Sequence, residues 1–195
     1  DCFSLTNSMQ AKYAIQIAAS LAYLAEIEQV RGHFQVAVTH LEEVLRLVGD
    51  QSVDSVRVVF EIDLGIAYYW KRDLVQARFY FDRAQKVLSS VRFPWKEELL
   101  GFYQSLIACH FGEQEKVATY LSRKEGAMKQ TTNARDKGMV YYLLAFLAAQ
   151  KEQGEQLVPA LSAFLKEDKN YYKKLAEQHL TPYRDRPFLK RLKVL

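Results

Sequence analysis

The sequence predicts an all-α chain, a solenoid of stacked antiparallel helix pairs, on three observations. The 195 residues include only four prolines and eight glycines, too few turn-formers for an all-β or collagen-like chain. Apolar and small residues recur at i+3, i+4 and i+7 in long runs, the spacing of one helix face. The same pattern returns every 40 residues through four units without slippage, the signature of a repeat array. Nearly half the residues are apolar and about a quarter charged, the balance of a folded, soluble protein.

The pattern is clearest in the second unit, about residues 51–91. Leu64-Gly65-Ile66-Ala67-Tyr68-Tyr69 is followed by Ala77, Phe81 and Ala84, with Arg72-Asp73 between the two runs as a turn. That spacing predicts two antiparallel helices of about 15–18 residues. In the first unit, about 10–50, Leu24-Ala25 stands in place of Leu64-Gly65, Gly32-His33 forms the turn, and Ala37 and Leu41 follow. The third, about 95–128, turns at Gly112-Glu113 and continues with Val117 and Leu121. The fourth, about 132–168, carries Leu144-Ala145, a turn at Glu152-Gln153, then Leu157, Leu161 and Phe164. Ala25, Gly65, Ser105 and Ala145 share one position in the frame, where a small side chain admits close approach of the partner helix. One pair cannot bury both of its faces, so stability comes from stacking pair on pair.

Breaks between pairs are expected at Gly49-Asp50, from Ser89-Ser90 to Phe93-Pro94, at Thr131-Thr132-Asn133 and at Lys169-Asn170. The expected organisation is thus a four-pair array over 1–168 and a basic capping segment over 169–195. In that segment a helix from Tyr171 to about Leu180 ends at Thr181-Pro182. From Lys169 onward there are eight Lys/Arg against two Asp/Glu, while the rest of the chain carries 19 against 21. Only the tail is basic.

Leu64-Gly65-x-x-Tyr68 followed by Ala77-x-x-x-Phe81-x-x-Ala84 resembles the tetratricopeptide signature. The usual unit has 34 residues; the 40-residue step is similar to variant arrays in bacterial regulators of the maltose-activator type. The resemblance spans roughly residues 10–168 and is strongest at 57–91. It implies a right-handed superhelical solenoid whose first helices line a concave surface. In the 40-residue frame that surface receives Tyr23, Glu26, Ile62, Ile66, Tyr69, Trp70, Phe102, Tyr103, Leu106, His110, Tyr142 and Phe146. Tyr and Trp offer large contact area at low entropic cost, which suits capture of a peptide or helix. Relatives that clamp acidic chaperone tails use Lys, Arg and Asn on this face. Here it carries Glu26 and Asp63, so an apolar or basic peptide, or another helix, is expected.

The residues argue against most other chemistry. Cys109-His110 with Glu113 is the one cluster that hints at a metal. Adjacent helix positions point about 100° apart, and no CxxC, HxxxH or HExxH spacing completes a site. No GxSxG elbow and no glycine-rich phosphate loop occurs, so neither an enzyme nor a cofactor is expected. Arg184, Arg186, Lys190, Arg191 and Lys193 are interleaved with Pro187, Phe188 and Leu189. That reads as a cap with apolar anchors, and nucleic-acid contact is disfavoured. No run approaches the roughly 18 apolar residues of a membrane span. Two distant cysteines suit a reducing cytoplasm. The Asp-Cys-Phe-Ser start has neither an initiator Met nor a signal-peptide layout, so the chain is expected to be part of a longer or processed protein. Phe3, Leu5 and Met9 offer a surface for packing on the first helix or for self-association.

The expected function is a protein- or peptide-binding scaffold acting through a concave aromatic groove. The alternative is a ligand- or peptide-sensing regulatory segment of a larger signalling protein or transcription regulator.

Overall fold

The computed structural model describes residues 2–49, 54–90, 93–128, 140, 142–144 and 146, with side chains over 12–49, 56–90 and 93–124 and at 140, 142–144 and 146. These form α1 (Cys2–Arg31), α2 (Phe34–Val48), α3 (Asp54–Trp70), α4 (Leu74–Leu88), α5 (Pro94–His110) and α6 (Gln114–Met128). No strand occurs among the described residues. The chain divides into two compact units, Asp1–Leu100 and Gly101–Leu195. In the first, α1 packs on α2, α2 on α3 and α3 on α4, each helix against its successor.

The 40-residue period is visible in the backbone. Gly32, Arg72 and Gly112 all adopt a left-handed conformation, with φ of 83°, 72° and 73°. The same pair of bonds closes each helix end. His33, Asp73 and Glu113 donate their N–H groups to the carbonyls of Glu28, Tyr68 and Ala108 at 2.8, 3.0 and 2.8 Å. Gly32, Arg72 and Gly112 donate to Gln29, Tyr69 and Cys109 at 3.0, 3.0 and 3.3 Å. This is the Schellman arrangement, which satisfies carbonyls that a helix end otherwise orphans. Helix starts are capped individually. Asp73 Oδ1 accepts from the Gln76 N–H at 3.2 Å. Pro94 fills the first position of α5, where its missing N–H costs nothing, and Glu97 accepts from the Phe93 N–H at 3.1 Å.

The second helix of each pair presents the apolar face that the spacing predicts. Ala37, Val38, Leu41 and Val44 of α2 are buried, as are Ala77, Phe81, Ala84 and Leu88 of α4. Gly65 lets α3 and α4 approach: a Cβ there would come within 2.6 Å of Phe81 Cδ1. In the second unit, a Cβ at Gly101 would meet the Tyr120 ring at 3.1 Å.

Two expectations need correction. On α6 the buried positions are Val117, Tyr120 and Lys124, whereas Leu121 is only half-buried. Tyr120 sits beside Gly101, and the Lys124 ammonium lies 5.9 Å from its ring centroid, so a lysine stem takes a place reserved for an aliphatic residue. The first helix also starts earlier than the repeat implies. α1 is continuous over 30 residues, about 45 Å at 1.5 Å per residue. Phe3, Leu5 and Met9 therefore extend α1 and do not fold back on it. The turn at Glu152-Gln153, Leu157, Leu161 and Phe164, the break at Thr131-Asn133 and the capping segment 169–195 lie outside the described residues.

Candidate functional site

The twelve residues expected on a concave surface fall into different environments. Ile62, Ile66 and Tyr69 of α3 are buried, because α3 packs against both α2 and α4. Trp70 is half-buried, stacked 6.1 Å from Phe34 of α2 and edge-on to Tyr69 at 5.5 Å. On α1, Tyr23 is 70% exposed and Glu26 is also exposed.

In the second unit, Phe102, Tyr103, Tyr142 and Phe146 are buried. Phe102 contacts Tyr103 and Tyr142 edge-on, with centroids 5.4 and 5.9 Å apart. His110 is half-buried and tilts against Phe146 at 5.3 Å. Leu106 is fully buried. These aromatic groups are core, held by one another. The physical reason is that a helix stacked between two neighbours spends a wide arc of its circumference on packing. Of the expected set, Tyr23, Glu26, Trp70 and His110 retain accessible side-chain surface.

Glu26 belongs to a charge cluster contributed by three helices. Lys96 of α5 is 3% exposed and ion-pairs with Asp63 of α3, which is 30% exposed. Burial raises the Asp63 carboxyl above its ordinary range; the nearby Lys96 ammonium opposes this rise, and the Glu26 charge adds to it. Glu26, Asp63 and Lys96 are thus within electrostatic reach of one another although they come from α1, α3 and α5. Trp95, next to Lys96, is 56% exposed, and the Lys96 ammonium lies 4.5 Å from its ring centroid.

Lys96 and Trp95 were not legible as site residues. Asp63 and Lys96 are 33 residues apart, so they occupy different positions in the 40-residue frame. A period search aligns equivalent residues and misses a pairing between unequal ones.

Two further groups lock the helices. Glu61 of α3, 2% exposed, accepts from Arg57 at 3.0 Å and from Arg83 of α4 at 2.7 Å. The Tyr68 hydroxyl donates to Glu42 of α2, while its ring stacks on Tyr80 of α4 at 5.6 Å. Burial, and after it the Glu42 bond, push the Tyr68 phenol well above its usual range.

Among the described residues, no group of three or more His, Cys, Asp or Glu is placed to hold a metal ion. No described helix is long and apolar enough to cross a membrane. Comparison of the chain with protein-family models, curated proteins and solved structures gives no match.

Proposed function

We propose that the chain is a protein- or peptide-binding module of stacked, tetratricopeptide-like helix pairs that recognises an apolar or basic segment through the Glu26–Asp63 face. The observation that carries this reading is the convergence of α1, α3 and α5 on one cluster of two carboxylates and a single lysine. Asp63 is already paired with Lys96, which leaves Glu26 as the exposed charge that a ligand meets first. A cationic side chain approaching this face gains Coulomb attraction and an acidic one is repelled. Tyr23 and Trp95 supply exposed aromatic area for the apolar part of the same ligand. Lys96 keeps the acidic pair from self-repulsion in the unliganded chain.

Two labelled peptide pools of equal length and apolar content, one basic and one acidic, test the reading by fluorescence anisotropy against the full chain. The basic pool should bind more tightly. Glu26→Lys should weaken it about fivefold, corresponding to roughly 1 kcal/mol, and Trp95→Ala should weaken both the basic pool and its apolar-rich members. Equal affinity for the two pools, or indifference to both substitutions, would remove the proposal.

A further inference from the structure

Lys96 stands where two physical effects oppose its charge. Its side chain is 3% exposed, and burying an ammonium costs free energy unless partners offset it. It is also the third residue of α5, near the positive end of that helix's dipole, where a cation is disfavoured. The partners that hold it there are the groups of the proposed ligand face. Asp63 forms the ion pair, the Glu26 charge reaches Asp63 from α1, and the ammonium lies 4.5 Å from the centroid of the Trp95 ring, which is itself 56% exposed. A carboxylate and an exposed indole within reach of one point are what the cationic side chain of a ligand needs. A residue set against its local electrostatic preference is the kind of departure that concentrates at functional sites.

We propose that Lys96 is an autoinhibitory contact, an internal occupant of the Glu26–Asp63 face that a basic ligand displaces from Asp63. The inference rests on the reading of that face as the ligand site and adds how its affinity is set. A ligand cation meets the exposed Glu26 first and then competes for Asp63. The flexible four-carbon stem of a lysine lets the Lys96 ammonium leave without movement of α5, and its release to water removes both the burial and the dipole penalty. The tethered ammonium competes at high effective concentration, so an isolated cation does not displace it. A segment that adds apolar contact at Trp95 does. Apparent affinity is then the intrinsic affinity scaled by the fraction of chains in which Asp63 is vacant.

The probe is a peptide of alternating Arg and Leu with an N-terminal fluorophore and an amidated C-terminus, which brings cations but no amine. On the full wild-type chain, acetylation of Lys96 by acetic anhydride is followed by mass spectrometry, with the exposed Lys86 as internal reference. Lys96 should react slowly in the free chain and several-fold faster at saturating peptide. By fluorescence anisotropy, Lys96→Met, which vacates the position of the ammonium and keeps the stem, should bind the peptide about tenfold more tightly than wild type. Adding Asp63→Asn should abolish that gain. If circular dichroism shows that Lys96→Met has lost its helices, the labelling of the wild-type chain decides alone. A peptide that binds neither wild type nor Lys96→Met overturns the reading of the face and this inference with it. Binding to Lys96→Met that is equal or weaker, or binding that leaves Lys96 as slow to react as in the free chain, keeps the face and overturns the displacement.

Discussion

The Lys96 side chain is 3% exposed beside Asp63, and the pair shows how little margin a buried charge leaves. Removing one partner strands the other in a poorly solvated site, which typically costs about 3–5 kcal/mol. Lys96→Met, which keeps the stem volume, is therefore expected to destabilise the chain by about 3 kcal/mol at neutral pH in urea denaturation. Adding Asp63→Leu should recover more than half of that loss. The sign of the pH dependence follows from Asp63. Its carboxyl is raised above the usual range by burial and rises further without Lys96. The penalty is then absent when the carboxyl is protonated and grows as pH climbs through its folded-state pKa. Lys96→Met should accordingly cost less in mild acid than at neutral pH. Arg72 offers a complementary case. It holds the left-handed position that Gly32 and Gly112 hold in the neighbouring turns, at a strain of about 1–2 kcal/mol for a residue with a Cβ. Glycine relieves that strain but gains freedom in the unfolded chain. Arg72→Gly should stabilise by roughly 0.5–1 kcal/mol, read from the urea midpoint.

Helix pairing turns on one contact per pair. Gly65 faces the edge of the buried Phe81 ring, where an added methyl would reach Cδ1 at 2.6 Å and Cζ at 3.1 Å. Gly65→Ala should cost about 1–3 kcal/mol through overpacking, despite the better helix propensity of alanine. In a Phe81→Leu background the same change should cost distinctly less. A double-mutant cycle with zero coupling would show that the two side chains do not define the α3–α4 distance. The equivalent first-unit residues, Ala25 and Leu41, are both fully buried. In the third pair, Gly101 takes the close approach instead, and Ser105 turns its hydroxyl onto the Gly101 carbonyl at 2.7 Å.

For the whole chain, stability is shared along the stack of helices. In the first unit α1 packs on α2, α2 on α3 and α3 on α4, and Tyr68 of α3 reaches both neighbours: its hydroxyl donates to Glu42 of α2 and its ring stacks on Tyr80 of α4. Tyr68→Phe keeps the ring and removes the hydroxyl, and should cost about 1 kcal/mol in urea denaturation. An unchanged urea midpoint would show that the Tyr68–Glu42 bond adds nothing to the stack.

The sequence by itself determined the features that depend on residues close together in the chain. The three described turns at Gly32-His33, Arg72-Asp73 and Gly112-Glu113 follow from where apolar runs stop, and the faces of α2 and α4 follow from spacing at i+3 and i+4. Gly65 could be read as a contact position because the same place in the other units holds only small residues, Ala25, Ser105 and Ala145. Tertiary structure alone decided which side of each first helix is used up by packing. Tyr69, Phe102, Tyr103 and Tyr142 are placed on the groove by the family resemblance and the 40-residue frame but lie in the core, because aromatic groups serve a core and a binding face equally well. It also decided that Lys96 meets Asp63 and the field of Glu26, a contact between non-equivalent positions on three helices. Periodicity reports what one helix repeats from the last; the charge that two different helices share depends on where packing brings them in space.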